Sequence, residues 1–324
     1  MHKVLGMGNA LVDLMTRIDK DELLDRFGLP KGSLFVVDEE RASFITQETQ
    51  GFDRTFTSGG SAANTIHGLA KLGVPTGYIG KVGNDEFGQI FKNELISSGI
   101  ESNLIIGRAL TGRAVALMSP DAERTFAVYL GAAIELTEAD ITPKLFEGYT
   151  IFHVEGYLVQ NRPLITKAVK LAKEAGLIVS LDLASYNVVA ENLEFLQDIV
   201  KQHVDIVFAN EEEAKSFTGL DPLDALHAIG QHCTTAVVKV GKHGSHIKHN
   251  GQVYKVGVKK AQSIDTTGAG DLYASGYLYG YVNGYAPDIC GQIGSLLAGS
   301  VIEHVGAKIP ESKWNQLQLL IHNI

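Results

Sequence analysis

Short apolar runs alternate with amphipathic segments along most of this 324-residue chain. A short apolar run bounded by Gly or Pro is typical of a buried strand, whereas apolar residues that recur every three or four positions are typical of a helix packed on one face. Strand and helix patterns alternate over residues 4–7, 62–72, 77–82, 86–96, 150–154, 164–174, 178–182, 193–202 and 205–209. This alternation predicts an α/β fold, with a mostly parallel central sheet and helices on both faces.

Two segments interrupt the alternation. Residues 14–38 and 108–131 contain strand-like pieces with no helical pattern between them, which predicts a small separate β-sheet made from two insertions. We therefore expect one domain that spans residues 1–324 and carries this small sheet. Its exposed edge strand leaves both a monomer and a homodimer open, because an unpaired edge can pair with a second copy.

The balance of charges limits the partners. The chain has a net charge of −9, from 28 basic and 37 acidic residues. A negative protein is repelled by nucleic-acid backbones and by anionic membranes, so we expect small-molecule partners instead. No run approaches the ~20 apolar residues that span a bilayer, and the first residues lack a small-residue cleavage site. These observations predict a cytoplasmic protein.

One segment carries the chemistry, at the junction between a strand-rich region and a long apolar run: Asp265, Thr266, Thr267, Gly268, Ala269, Gly270, Asp271. The first N–H groups of a helix have no helical partner, and the peptide dipoles put partial positive charge there, so this turn is a candidate anion site. Glycine lets a phosphate approach the backbone closely. An acid in the first turn of a helix is also favoured by the dipole alone. The full segment nevertheless predicts a phosphotransfer site beside Asp271.

Three motifs in this order resemble those of the ribokinase-like (PfkB) carbohydrate and nucleoside kinases. They are the run 59–64 (GGSAAN), the pair Asn210 and Glu213, and the segment 265–271. The resemblance extends along nearly the whole chain. It implies a ribokinase-like fold whose small sheet forms a lid over the substrate, and it implies phosphoryl transfer from ATP, with Mg²⁺, to a hydroxyl group. A lid suits this chemistry, because excluding water prevents hydrolysis of ATP.

The resemblance also assigns roles around the transferring phosphoryl group. The N–H groups of Gly268, Ala269 and Gly270 would bind its developing charge, and Asp271 would take the proton of the attacking hydroxyl. The candidate ATP-binding residues are Asn210, Lys239, Gly241, Gly244, Thr266, Gly268 and Gly270.

Two cation sites are implied as well. Asn210 and Glu213 would act on Mg²⁺ and its waters, although their spacing also fits a helix capping box. A potassium site is implied at Asp265 and Thr267, next to residues 305–307.

Asp13 is the candidate partner of the acceptor. One carboxylate can accept two hydrogen bonds from adjacent hydroxyls, such as the 2′,3′-diol of a ribose, although an acid at this position could also cap a turn. Gly59 and Gly60 permit close backbone approach, and Asn64 would add a donor and an acceptor. The other candidate substrate-binding residues are Asn9, Leu11, Ser61, Arg124, Glu155 and Tyr157.

The identity of the acceptor stays open between two classes. Within the family, the run 6–13 is most similar to kinases that act on adenosine, which implies adenosine or a related purine nucleoside. Glu155 points the other way, because it resembles the acid that sugar-specific members place on the sugar. A sugar kinase of ribokinase, fructokinase or 2-keto-3-deoxygluconokinase type is therefore the alternative.

Two other functions fit less well. A catalytically silent nucleotide-sensing module should lack the base, yet Asp271 is present together with its anion site. A dinucleotide oxidoreductase should carry a complete glycine fingerprint after its first strand, but the position of the third glycine is Leu11.

Overall fold

Two β-sheets organise the chain. The structure is a computed structural model that describes residues 2–121 and 123–324. In chain order the strands are β1 (Val4–Met7), β2 (Leu11–Arg17), β3 (Leu34–Val36), β4 (Arg54–Gly59), β5 (Thr76–Val82), β6 (Ile100–Ile106), β7 (Gly112–Met118), β8 (Arg124–Tyr129), β9 (Ile151–Glu155), β10 (Ile178–Asp182), β11 (Ile206–Asn210), β12 (Thr235–Lys239), β13 (Ser245–His249) and β14 (Gln252–Val256). The α-helices are α1 (Glu22–Phe27), α2 (Glu39–Glu48), α3 (Ser61–Lys71), α4 (Glu86–Ser97), α5 (Arg162–Glu174), α6 (Tyr186–Glu191), α7 (Leu193–His203), α8 (Glu211–Thr218), α9 (Pro222–Ile229), α10 (Ala269–Val282), α11 (Pro287–Val301) and α12 (Glu311–His322).

The larger sheet has nine strands in the order β14-β13-β12-β11-β10-β9-β1-β5-β6. All neighbours from β12 to β6 are parallel, and only β13 and β14 pair antiparallel. Apart from the edge strand β6, its parallel strands are buried on both faces, since helices α5, α7, α8 and α9 cover one face and α3, α4, α10 and α11 cover the other. The predicted α/β architecture is confirmed.

The smaller sheet has five strands in the order β3-β8-β7-β2-β4. It differs from the prediction, because β4 lies outside both predicted segments and β2 begins at Leu11. Helix α1 also lies inside the first segment, where no helix was expected. Strand β4 could not be predicted from the sequence, because its residues are mostly polar and half exposed. The apolar run that marks a buried strand is therefore missing.

The carboxyl ends of the parallel strands define where a ligand can bind. The chain leaves β1 for β5 and β6 on one side and returns to β9 on the other side. In open α/β sheets, ligands bind in the crevice at such a change of direction. Polar residues follow or end these strands: Asn9, Glu155, Asp182, Asn210 and Lys239.

No helix in the described part of the chain combines the length and the apolar character needed to cross a membrane.

Candidate active site

The anion turn, residues 266–271, precedes and opens helix α10. Gly268 has a φ of 75°, a left-handed conformation that favours glycine. Its backbone packs against Ala307, because a Cβ added to Gly268 would lie 2.7 Å from the Cα of Ala307. Among the described residues, the N–H groups of Gly268, Gly270 and Asp271 donate to no acceptor. These three N–H groups are therefore free to bind an anion.

Ala269 differs from the prediction. Its N–H donates to the carbonyl oxygen of Thr266 at 3.2 Å and closes the turn. The N–H of Asp271 is the third free donor instead.

Asp271 is held by two side chains of α3. Ser61 Oγ donates to Asp271 Oδ1 at 2.7 Å, and Asn64 Nδ2 donates to Asp271 Oδ2 at 2.9 Å. Burial raises the pKa of Asp271 to about 6, and the hydrogen bonds from Asn64 and Ser61 oppose that rise. The carboxylate is therefore ionised at neutral pH and fixed in orientation, as a general base requires. Ser61 and Asn64, predicted to bind substrate, hold the Asp271 carboxylate in this structure.

A cavity of about 1150 Å³ lies beside the anion turn. This volume is large enough for a nucleotide, since ligand pockets typically measure about 300–1,000 Å³. The cavity is lined by all seven predicted ATP-binding residues, Asn210, Lys239, Gly241, Gly244, Thr266, Gly268 and Gly270. Of the predicted substrate-binding residues, Ser61 and Tyr157 reach its wall.

The sequence reasoning missed Asp182, which ends β10 and lines the cavity. Lys239 Nζ donates to Asp182 Oδ2 at 3.0 Å, and both side chains are largely buried. The negative charges of Asp182, Glu213 and Asp271 all act on this lysine and help to raise its pKa, against the effect of burial. The only signal in the sequence was the place of Asp182 at the carboxyl end of a predicted strand.

Asn210 and Glu213 form a capping box at the start of α8. Asn210 Oδ1 accepts from the Glu213 N–H at 2.8 Å, while the Glu213 carboxylate accepts from the Asn210 N–H at 2.8 Å and from Nδ2 at 2.7 Å. Burial, and next the charge of Asp182, raise the pKa of Glu213 to about 7. The capping box, which was the alternative interpretation of this spacing, is therefore present. The role of the two residues in binding magnesium stays a prediction.

The acidic side chains of the cavity fit a magnesium ion that arrives with a nucleotide. Over residues 2–121 and 123–324, no three His, Cys, Asp or Glu side chains form a group that could hold a metal ion by themselves. Mg²⁺ needs only one or two carboxylates when substrate phosphates and waters supply its other ligands. Asp182 and Glu213 could take that part, because a divalent cation would offset the crowding of negative charge around Glu213.

Asp13 lies in β2, the strand that follows β1. Its carboxylate lies against Gly59 of β4, where a Cβ would come within 2.4 Å of the carboxyl carbon and both oxygens. Among the described residues, none donates a hydrogen bond to this carboxylate. Burial raises the pKa of Asp13 to about 7, and the positive charge of Lys308 opposes the rise. Asp13 is therefore available to an acceptor molecule.

Both carboxylate oxygens of Glu155 accept hydrogen bonds from within the protein. Its Oε1 accepts from the N–H and the Nδ2 of Asn9, both at 2.9 Å, and its Oε2 accepts from the Ala62 N–H at 3.0 Å. The residue is 1% exposed. The predicted contact of Glu155 with a sugar does not fit this arrangement, because its oxygens join the β1–β2 turn to the start of α3. The same bond occupies the side-chain nitrogen of Asn9.

Arg124 of β8 reaches the segment between β14 and α10 that contains the anion turn. Its Nη1 donates to Asp265 Oδ2 and, at 3.0 Å, to Thr267 Oγ1. Asp265 also accepts from the Thr267 N–H at 2.8 Å and from the Gly306 N–H at 2.7 Å. A potassium ion does not fit beside these partners, since the guanidinium already holds both predicted ligands. Arg124 thus joins the smaller sheet to the anion turn, and these bonds occupy its Nη1.

The comparison with known families settles the class of this site. The profile described as "pfkB family carbohydrate kinase" matches residues 34–314, well over half of the chain. The chain belongs to the PfkB carbohydrate kinase family. It is a phosphotransferase with an alcohol group as acceptor, and the family implies ATP as co-substrate, typically with Mg²⁺.

Solved structures agree with this assignment over the full length of the chain. A probable sugar kinase from Rhizobium etli CFN 42 has 32% sequence identity and a TM-score of 0.88, with 100% of this chain and 99% of that chain covered. The adenosine kinase from Sinorhizobium meliloti has 31% identity and a TM-score of 0.86, with 98% and 99% covered. Adenosine kinase 1 from Arabidopsis thaliana is 24% identical, with 95% of this chain and 96% of the relative covered. These relatives are named both as a sugar kinase and as adenosine kinases, so the comparisons leave the acceptor open between a sugar and a nucleoside.

Proposed function

We propose that this kinase phosphorylates the 5′-hydroxyl of adenosine, or of a related purine nucleoside, with MgATP as phosphoryl donor. The observation that supports this choice is the face of the smaller sheet on which Asp13 lies. In-register neighbours in a sheet share a face, and so do residues two apart along a strand. Asp13 therefore shares its face with the apolar side chains of Leu11, Met15, Phe126, Val128 and Val36, and at the β4 edge with Thr55 and Thr57.

The five apolar neighbours are at least partly exposed, and Val36 is 67% exposed. The opposite face of β2 carries buried side chains such as Val12 and Leu14. A free carboxylate with an exposed apolar patch on one side of it suits a ligand with a polar diol and a flat, largely apolar ring. A free sugar carries hydroxyls on all sides, and those that face the apolar patch would lack partners.

The same face points toward the anion turn. Arg124 lies on it, two register positions beyond Met15, and bonds to Asp265 and Thr267. An acceptor on this face would therefore have its reacting hydroxyl near Asp271. We infer that Asp271 accepts the proton as the bond to phosphorus forms, and that the free N–H groups of Gly268, Gly270 and Asp271 bind the charge on the transferring group.

Magnesium, when bound with ATP, supplies charge neutralisation at the phosphates. Lys239 and Asp182 hold each other at the wall of the cavity, so the lysine is positioned there before a nucleotide binds. The Asp271 carboxylate needs no further rotation, because Ser61 and Asn64 fix both of its oxygens.

The test is release of ADP from MgATP with adenosine, inosine, ribose, fructose and 2-keto-3-deoxygluconate offered in turn. We expect the highest kcat/KM for adenosine. A higher value for a free sugar would instead assign the sugar-kinase alternative, and no release of ADP with any acceptor would favour a nucleotide-sensing module.

The diol contact has its own test. Asp13→Ala should weaken binding of adenosine and leave ATP binding intact, as measured by calorimetry. If Asp13 accepts from the diol, 2′-deoxyadenosine should bind the wild type more weakly than adenosine, whereas the variant should bind both alike. Equal binding of adenosine to the variant and the wild type would remove Asp13 from the acceptor site.

A further inference from the structure

Lys308 is a buried lysine that the mechanism above does not use. Its side chain is 15% exposed, and its Nζ donates to Ser58 Oγ at 2.8 Å and to Glu94 Oε1. Glu94 Oε2 in turn accepts from the Ser58 N–H at 2.5 Å. We call Ser58, Glu94 and Lys308 the Lys308 cluster. It joins β4, α4 and the segment before α12.

The Lys308 cluster lies directly behind Asp13. Asp13 is paired in register with Thr57 and lies against Gly59, the two residues that flank Ser58 in β4. Side chains alternate along a strand, so Ser58 faces away from the surface that carries Asp13. Lys308 therefore braces β4 from the opposite face and would not touch an acceptor.

The backbone beside Lys308 is attached to the anion turn. Ala307 packs against Gly268, and the Gly306 N–H donates to Asp265 Oδ2 at 2.7 Å. Residues 306–308 thus connect the turn that would bind the phosphoryl group to the strand that supports the acceptor's carboxylate partner. A shift of Lys308 would move these two parts relative to each other.

We propose that Lys308 is a positioning residue, which fixes Asp13 relative to the anion turn and supplies the positive charge that keeps Asp13 an ionised hydrogen-bond acceptor. This inference rests on the proposed role of Asp13 in acceptor binding. The charged groups that act on Asp13 are Lys308, Asp271 and Glu94: the first lowers its pKa, and the other two raise it.

The sign of the expected effect follows from these charges. Lys308→Met should raise the pKa of Asp13 above its value of about 7. A rise of about one unit would reduce the ionised fraction about fivefold at pH 7 and about 1.1-fold at pH 9. Binding of the acceptor should weaken by the same factors. Asp271, with a pKa of about 6, stays ionised across this pH range.

Glu94→Gln removes the other partner of the Lys308–Glu94 ion pair and should shift the pKa of Asp13 in the opposite direction. Removing the negative charge of Glu94 should lower the pKa of Asp13 while Lys308 carries its proton, so the pH midpoint of acceptor binding moves down. Burial lowers the pKa of Lys308 and Glu94 raises it, so the shift in this variant is read at the pH 7 end of the range. A cluster that served only to hold the fold together would give two variants with losses of the same sign, independent of pH. Lys308→Arg keeps the charge and should restore binding.

The experiment is calorimetric titration of adenosine into the wild type, Asp13→Ala, Lys308→Met, Lys308→Arg and Glu94→Gln, between pH 7 and pH 9 without ATP. The control is Lys173→Met, which breaks another lysine–carboxylate pair, with Asp205, outside the site. If adenosine does not bind the wild type, the acceptor found by the ADP-release assay is titrated instead. Should Lys308→Met fail to fold, the shift of midpoint in Glu94→Gln carries the test.

Opposite shifts in Lys308→Met and Glu94→Gln would support the inference. Loss of binding in Asp13→Ala together with a Lys308→Met curve equal to the wild type at every pH would overturn it, while leaving the proposed function in place. Normal binding by Asp13→Ala would instead contradict the proposed function and, with it, this inference.

Discussion

Replacing Asp271 with Asn tests the assignment of the base. Asn has nearly the same shape as Asp, but its amide cannot take a proton from an attacking hydroxyl. Ser61 Oγ and Asn64 Nδ2 donate to the two oxygens of Asp271 in the wild type. In the variant one of these donors still meets an oxygen, and the other meets an NH₂ group.

The effect on stability can be worked out from these contacts. The donor that loses its acceptor costs about 1 kcal/mol. The wild-type carboxyl has its pKa raised from 3.8 to about 6, mainly by burial, which corresponds to about 3 kcal/mol against the folded state at pH 8. Because the amide carries no charge, this second effect disappears in the variant. We therefore expect the free energy of unfolding at pH 8 to stay equal or to rise.

The effect on catalysis should be large and separate from stability. A positioned general base contributes about 10²–10⁴-fold, or about 3–5 kcal/mol, to the rate. We expect kcat of Asp271→Asn to fall by about that factor, with little change in the KM for MgATP. The wild-type rate should rise with pH through about 6, as Asp271 becomes ionised, and the residual rate of the variant should lack this rise.

Steady-state kinetics from pH 5 to pH 9, with urea unfolding of the same samples, provides the measurement. Asp288→Asn is the matched control, because Asp288 is an acid in the first turn of the neighbouring helix α11. It should keep the wild-type kcat. An unchanged kcat in Asp271→Asn would show that this carboxylate is an ordinary first-turn acid.

Three further predictions concern the walls of the site. Gly268→Ala should lower both stability and kcat, because the left-handed φ costs about 1 kcal/mol and the new Cβ would meet the Cα of Ala307 at 2.7 Å; urea unfolding and kinetics measure this. Since Arg124 holds Asp265 and Thr267, initial rates should be equal in sodium and potassium buffers, and Arg124→Ala should make the rate depend on potassium. Glu155→Ala should lower the free energy of unfolding more at pH 5.5 than at pH 8. The pKa of Glu155 in the folded protein is about 7, above the ordinary value of 4.5. The stability of the wild type therefore falls as the pH rises from 4.5 to 7, and the variant lacks this fall.

Controls for these predictions exist within the chain. Gly284 has a φ of 74°, and a Cβ added there would meet no atom within 4 Å, so Gly284→Ala carries the backbone strain without the clash. Equal losses in the two glycine variants would refute the role of the Ala307 contact. Potassium stimulation of the wild type would show that the ion displaces Arg124. A Glu155→Ala loss that grows toward pH 8 would contradict the raised pKa.

The parts of the fold that the sequence could predict are those with strong periodicity. The pattern over residues 178–182 coincides with β10, and the pattern over 164–174 lies within α5. Both follow from the local spacing of apolar positions. The smaller sheet could be predicted only in part, because β4 obtains its place from pairing with β2 and from α4, not from apolar residues of its own.

The residues of the candidate site divide in the same way, into those that a local motif identifies and those that only distant packing brings together. The anion turn and the capping box are local motifs, so their residues could be named from spacing alone. The contacts of Arg124 with Asp265 and of Lys308 with Ser58 join residues 141 and 250 positions apart. Asp182 and Lys308 belong to no local pattern, and only the packing of distant segments brings them to the site.

The packing of Ala307 against Gly268 ties the anion turn to a part of the chain that belongs to neither sheet. All fourteen strands among the described residues precede residue 257, whereas Ala307 lies in the loop between α11 and α12. A change in that loop would therefore alter the support of the anion turn and leave the pairing of the strands as it is.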